Sequence, residues 1–189
     1  MAITIDGSAN TIAGLAVGGL PNGVVDTDML ADNAVTKSKA NSADFGKVGK
    51  VVVGTSTGSG IATSSSHTSW QDITGLTATI TPQAATSDIL IFCSVNGIVC
   101  ANDDLDAVSL RILDNGGSVV AGITNVGYKT NDDDVVQGVV MHGLSSPSST
   151  SALTYHVEFK NRQANRVIVD NGGECRCRLV LMELLGGAG

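Results

Sequence analysis

The sequence predicts an all-β protein: a jelly-roll-type β-sandwich head preceded by an extended N-terminal arm. Three observations predict it. Between residues 70 and 185, short apolar or alternating stretches recur at strand-like spacing, with turn signals between them and no helical period. The composition is small-residue and β-branched, with 23 Gly in 189 residues, 3% aromatic and 15% charged residues, against about 25% charged in an average domain. The first 47 residues carry apolar side chains too scattered for a private core and too numerous for a solvated linker.

Residues 1–47 therefore read as an arm that orders against a partner. "ITID" at 3–6 alternates and predicts a short strand. Ile3, Ile5, Leu15, Val17, Leu20, Val24, Met29 and Leu30 are the expected anchoring residues, set among Gly, Asn and Asp. "TDMLADNAVTKSKA" at 27–40 predicts a short helix capped by Thr27 or Asp26. Residues 48–69, which include "TSTGSGIATSSSHTS", read as a Gly/Ser/Thr-rich connector.

Residues 70–189 read as the head. "LTATIT" at 76–81 alternates and stops at Pro82. "DILIFCSVNGIV" at 88–99 is apolar on both faces, as in a buried strand. "AVSLRIL" at 107–113 and "SVVAGIT" at 118–124 flank "DNGG", a hairpin signal because Asn and Gly accept positive φ. "VVQGVVMHGL" at 135–144 runs into the loop "SSPSSTS". "LTYHVEF" at 153–159 sets Leu153, Tyr155, Val157 and Phe159 on one face and Thr154, His156 and Glu158 on the other. "RVIV" at 166–169 precedes a second "DNGG", and "ECRCRLVLMELL" closes the domain. In that last strand one face is Cys175, Cys177, Leu179 and Leu181, while the other turns to Val180, Met182 and Leu184. A strand apolar on both sides predicts a second buried side, so Val180, Met182 and Leu184 are expected at an interface with another subunit or with the arm.

The formal net charge of -7 argues against a nucleic-acid partner. No apolar run reaches the roughly 18 residues of a membrane span, and "MAITIDGS" lacks the basic start and apolar run of a secretory leader. Synthesis in a host cytosol with reduced thiols is expected, so Cys93, Cys100, Cys175 and Cys177 read as core thiols; their spacing is a poor match to zinc motifs. His67 reads as a loop histidine and His156 as an exposed strand histidine. Asp103 and Asp104, with Asp132, Asp133 and Asp134, form acidic loops that match no complete calcium-loop pattern. They read as solvated acidic turns, with a receptor contact and a bound cation as the functional alternatives. Trp70 is expected to fill core or interface. No catalytic residue set, cofactor site or metal site is expected: no G-x-S-x-G elbow and no phosphate-binding Gly loop is present.

The stretch "ITIDGSANTIAGLAVGGLPNGVVDTDMLADNAVT" resembles the N-terminal segments of tail-fibre and related virion proteins of tailed bacteriophages, especially marine ones. "SWQDITGLTATITPQAATSDILIFCSV", "LRILDNGG", "SALTYHVEF" and "RLVLMELL" look like the compact C-terminal domain often joined to them. The resemblance implies a trimeric, TNF-like jelly-roll head, an arm tied to other virion proteins of tail or capsid, an outward partner such as a host cell-surface receptor or glycan, and no catalytic motif. A short tail fibre or fibre tip is the leading expectation. A capsid decoration or head-fibre protein is the alternative within the same class. A polysaccharide-degrading tail spike would want repetitive β-helical sequence and aromatic clefts, and a cellular TNF-like or C1q-like module would want a leader.

Overall fold

The computed structural model describes residues 4–6, 11–13, 48–56, 61–63, 69–100, 107–127, 135–162, 167–169 and 176–186. The chain divides into two units, Met1–Phe45 and Gly46–Gly189. In the first, strand β1 (Thr4–Asp6) pairs antiparallel with β2 (Thr11–Ala13), placing Ile5 opposite Ile12. The "ITID" strand is thus present as one side of a small hairpin. The helix expected at 27–40 lies outside the described residues, as do Ile3, Leu15, Val17, Leu20, Val24, Met29 and Leu30.

The second unit is all-β among its described residues. Its strands are β3 (Val48–Thr55), β4 (Ile61–Thr63), β5 (Gln71–Ile80), β6 (Asp88–Cys100), β7 (Val108–Leu113), β8 (Val119–Val126), β9 (Val135–Ser145), β10 (Leu153–Asn161), β11 (Val167–Val169) and β12 (Arg178–Leu184). Eight of them form two antiparallel sheets. One runs β3-β12-β6 with β9 on the far side of β6; the other runs β5-β10-β7-β8. Numbered along the chain, those eight strands lie in the orders 1-8-3-6 and 2-7-4-5, which is jelly-roll connectivity. The short β11 pairs β6 at Val99 and Cys100 and carries β4 on its other edge.

The alternation seen in the sequence sorts side chains between core and surface. Ile89, Ile91 and Cys93 of β6 and Leu179 and Leu181 of β12 point inward and are fully buried. Tyr155, Val157 and Phe159 of β10 meet them from the other sheet. The β7–β8 hairpin closes on the expected turn. Asp114 Oδ1 accepts from the backbone N–H of Gly116 at 2.9 Å and of Ser118 at 2.8 Å, and Gly117 takes the left-handed φ of 80° that suits glycine.

The structure corrects the connector assigned to residues 48–69. Val48–Thr55 is a full strand of the sandwich, hydrogen-bonded to β12 with Val51 opposite Met182 and Val53 opposite Val180. Its Gly54 lies where β3 crosses β5; a Cβ there would collide with the carbonyl of Thr77. Ser56 ends the strand in a buried position, its N–H donating to Cys177 O at 3.1 Å and its Oγ accepting from Cys177 N at 3.0 Å. Gly, Ser and Thr thus serve close sheet approach and strand capping over 48–56, where composition alone suggested a spacer. The structure also places Glu183, on the inward face of β12, at full burial. Its carboxylate accepts from the backbone N–H of Gln83, from Gln83 Nε2 at 3.0 Å and from Ser87 Oγ at 2.9 Å.

Candidate functional site

The two sheets present outer faces of opposite character. On β3-β12-β6-β9 the register aligns Val53, Val180, Phe92 and His142 in one row and Val51, Met182, Leu90 and Leu144 in the next. Cross-strand partners share a face, so these rows form one continuous surface. Val51, Val53, Phe92, Val140 and Leu144 are 41% to 69% exposed in the single chain. Val180, Met182 and Leu184 are half-buried within the same surface. At one end the row of Thr55, Arg178 and Ser94, which ends in Val140 on β9, is polar across three of the four strands. An apolar patch with a polar margin is the mark of an association surface.

The outer face of β5-β10-β7-β8 is polar, and one irregularity shapes it. His156 of β10 pairs with Thr77 of β5, yet Glu158 pairs with Asp72. Three residues of β10 therefore span six of β5, and Ile73–Leu76 bulge from the ladder. Gly75 takes φ 81° to make the bend, while Ile73 and Leu76 keep their side chains in the core. The bulge walls an open cleft of about 440 Å³ with His156 and Thr154 on its floor and Asp72 at its rim. Bulges re-aim side chains in this way.

A charged cluster adjoins the cleft. Arg111 of β7 grips one oxygen of Glu158, with Nη2 at 2.6 Å and Nε at 2.7 Å from Oε2. The same guanidinium lies 4.2 Å from the Trp70 ring centroid, and Lys160 Nζ lies 4.8 Å from it. Trp70 is half-buried and engaged by two cations, a role of the kind cation–π contacts supply, rather than core filling. His156 Nε2 stands 3.7 Å from Asp72 Oδ1 and 3.8 Å from Glu158 Oε1.

Cys93, Cys100 and Cys177 are buried. Burial, with the neighbouring Cys177 adding, pushes the Cys93 thiol up to about 12. Burial also raises the Tyr155 phenol, against the opposing hydrogen bond to Ser145 and with the charge of Asp114 adding.

Of the residues singled out in the sequence, the structure brings Val180, Met182 and Leu184 onto the apolar outer face. Ile5 lies in β1 of the arm hairpin. Asp103, Asp104, Asp132, Asp133, Asp134, Cys175 and His67 lie outside the described residues. Sequence reasoning missed Val51, Val53 and Phe92 as members of the apolar face. Alternation in "KVVVGT" was the available signal for the first two. It also missed the convergence of Asp72, His156 and Glu158, which depends on the bulge.

The chain is similar to the infectious bursal disease virus VP2 subviral particle, with a TM-score of 0.41 and 11% identity, over 74% of this chain and 33% of that one. It is also similar to a Stig cyclase, Fisc, from Fischerella sp. TAU, solved in complex with (3Z)-3-(1-methyl-2-pyrrolidinylidene)-3H-indole, with a TM-score of 0.31 and 15% identity, over 59% of each chain. The chain thus spans about a third of the first protein and under two thirds of the second. Likenesses of this size carry no functional argument. No protein-family model and no curated protein matches the sequence.

Proposed function

We propose that the chain is a non-enzymatic structural subunit of a tailed-bacteriophage virion, a homotrimeric short tail fibre or fibre tip. Its N-terminal arm docks on other virion proteins and its jelly-roll head faces a host-surface receptor or glycan. It is made in the host cytoplasm and carried on the particle. The observation that carries this reading is the apolar outer face of β3-β12-β6-β9. Val51, Val53, Phe92, Val140 and Leu144 would stand in water on a lone domain, and closed symmetric assembly is the ordinary way to cover such a face. The resemblance of the arm to phage fibre segments supports the particle as its site. The buried thiols fit a structural role, since the three described cysteines offer no accessible nucleophile.

The test is an image of purified virions carrying a labelled copy of this subunit. Label at the tail or its fibres is the expected result. Label over the capsid would make the subunit a decoration or head-fibre protein, and absence from particles would overturn the virion reading.

A further inference from the structure

We propose that Asp72, His156 and Glu158 bind a divalent transition-metal ion of the zinc type on the outer face of the β5–β10 pair. The inference does not rest on the virion reading, because it concerns the opposite sheet from the assembly face.

Three ligand atoms from two strands converge there. His156 Nε2 lies 3.7 Å from Asp72 Oδ1 and 3.8 Å from Glu158 Oε1, and one donor atom from each residue falls within 4.8 Å of the others. Donors bound to zinc at its usual bond lengths sit about 3.4 Å apart around a tetrahedron, so the triad is open by about 0.3–0.4 Å along its two shorter edges and by up to about 1.4 Å along the third. Side-chain rotation has to close these gaps, and Asp72, with its side chain 70% exposed, has the room to make it.

The convergence is built into the fold. On a regular ladder Thr77 would be followed opposite Glu158 by Gly75, and Asp72 would lie further down the strand. The Ile73–Leu76 bulge removes that spacing and sets Asp72 opposite Glu158, beside His156. Arg111 orients one of the ligands: it holds Glu158 through Oε2 alone, which leaves Oε1 turned toward the imidazole. Trp70 in turn braces the guanidinium.

Ligand type selects the ion. Two carboxylates flank the imidazole, balanced by Arg111 on Glu158 and by Lys160 beyond it at the Trp70 ring. An imidazole nitrogen favours zinc, cobalt, nickel or copper over magnesium or calcium, which take all-oxygen shells. The open cleft beside His156 leaves room for water to complete the coordination. The alternative state of the same residues is an imidazolium ion-paired with both carboxylates, and it binds no metal.

The test uses the full chain, stripped with EDTA, exchanged into chelator-free buffer and titrated calorimetrically with ZnCl2. The expected result is saturable binding in which H156Q and D72N each lower the affinity by about tenfold or more. CoCl2 should give a visible absorption band that H156Q removes, and MgCl2 and CaCl2 should give no saturable heat at the same concentrations. Because Asp72 is exposed, D72N keeps the test interpretable if H156Q disturbs β10. Absence of saturable zinc binding, or an isotherm that both variants leave unchanged, overturns the proposal. So does saturable magnesium or calcium binding that these variants abolish.

Discussion

Glu183 carries a carboxylate into a position that solvent does not reach, and three donors from Gln83 and Ser87 meet it there. Burial of such a group is tolerated only with its hydrogen bonds made. Gly49 belongs to the same arrangement, because a Cβ there would come 2.6 Å from Glu183 Oε2. Glu183→Ala strands the Gln83 and Ser87 donors, and urea unfolding should show a loss of about 1–3 kcal/mol; a loss under about 0.5 kcal/mol would contradict this role. At Cys93 the thiol is raised from 9.0 to about 12 by burial and the neighbouring Cys177. Its neutral form is the folded one, so its contribution to stability is whole below pH 9 and is lost as pH rises toward 12. The expected slope is about 1.4 kcal/mol per pH unit for this thiol. Urea midpoints measured from pH 8 to 11 check it; a flat profile above pH 9 would contradict it. Alkylation of the native protein at pH 8 should spare Cys93.

At the scale of elements, legibility followed locality. The β7–β8 hairpin could be read because Asp114, Asn115, Gly116 and Gly117 fix their own turn through bonds within five residues. β10 could be read because its alternation survives from Leu153 to Phe159. β3 could not, because its Gly54 and the following Ser56 look like linker residues until β5 and Cys177 are placed against them. Asp72 and His156 met for a still less local reason: the register of β5 against β10 slips at a bulge that no periodicity announces. β3 also moves the boundary of the autonomous head. A chain beginning at Gly46 keeps β3 and should fold and stay soluble while failing to join particles. A chain beginning at Ser56 loses β3, bares the edge of β12 and should aggregate or melt earlier. Melting curves and particle incorporation of the two truncations check this. Equal stability of both would contradict the role given to β3.

The second unit, Gly46–Gly189, is a jelly roll among its described residues, with one wet sheet and one apolar sheet. The wet face carries the charged side chains Asp72, Arg111, His156, Glu158 and Lys160. The other sets Val51, Val53, Phe92 and Leu144 toward water beside Val180 and Met182. That asymmetry is the basis for assigning assembly to β3-β12-β6-β9. Met182, central in that face between Val51 and Leu90, is the position where one charge does most harm, since an unpaired carboxylate in a covered interface has no compensating partner. The most direct measurement is therefore the solution mass by light scattering at micromolar protein, for the wild-type chain and for M182D. The account predicts three times the 19.2 kDa chain mass for wild type, falling to the single-chain mass in M182D with the sandwich still folded by circular dichroism. A wild-type chain that runs as a monomer, or an M182D chain that remains a trimer, would contradict it.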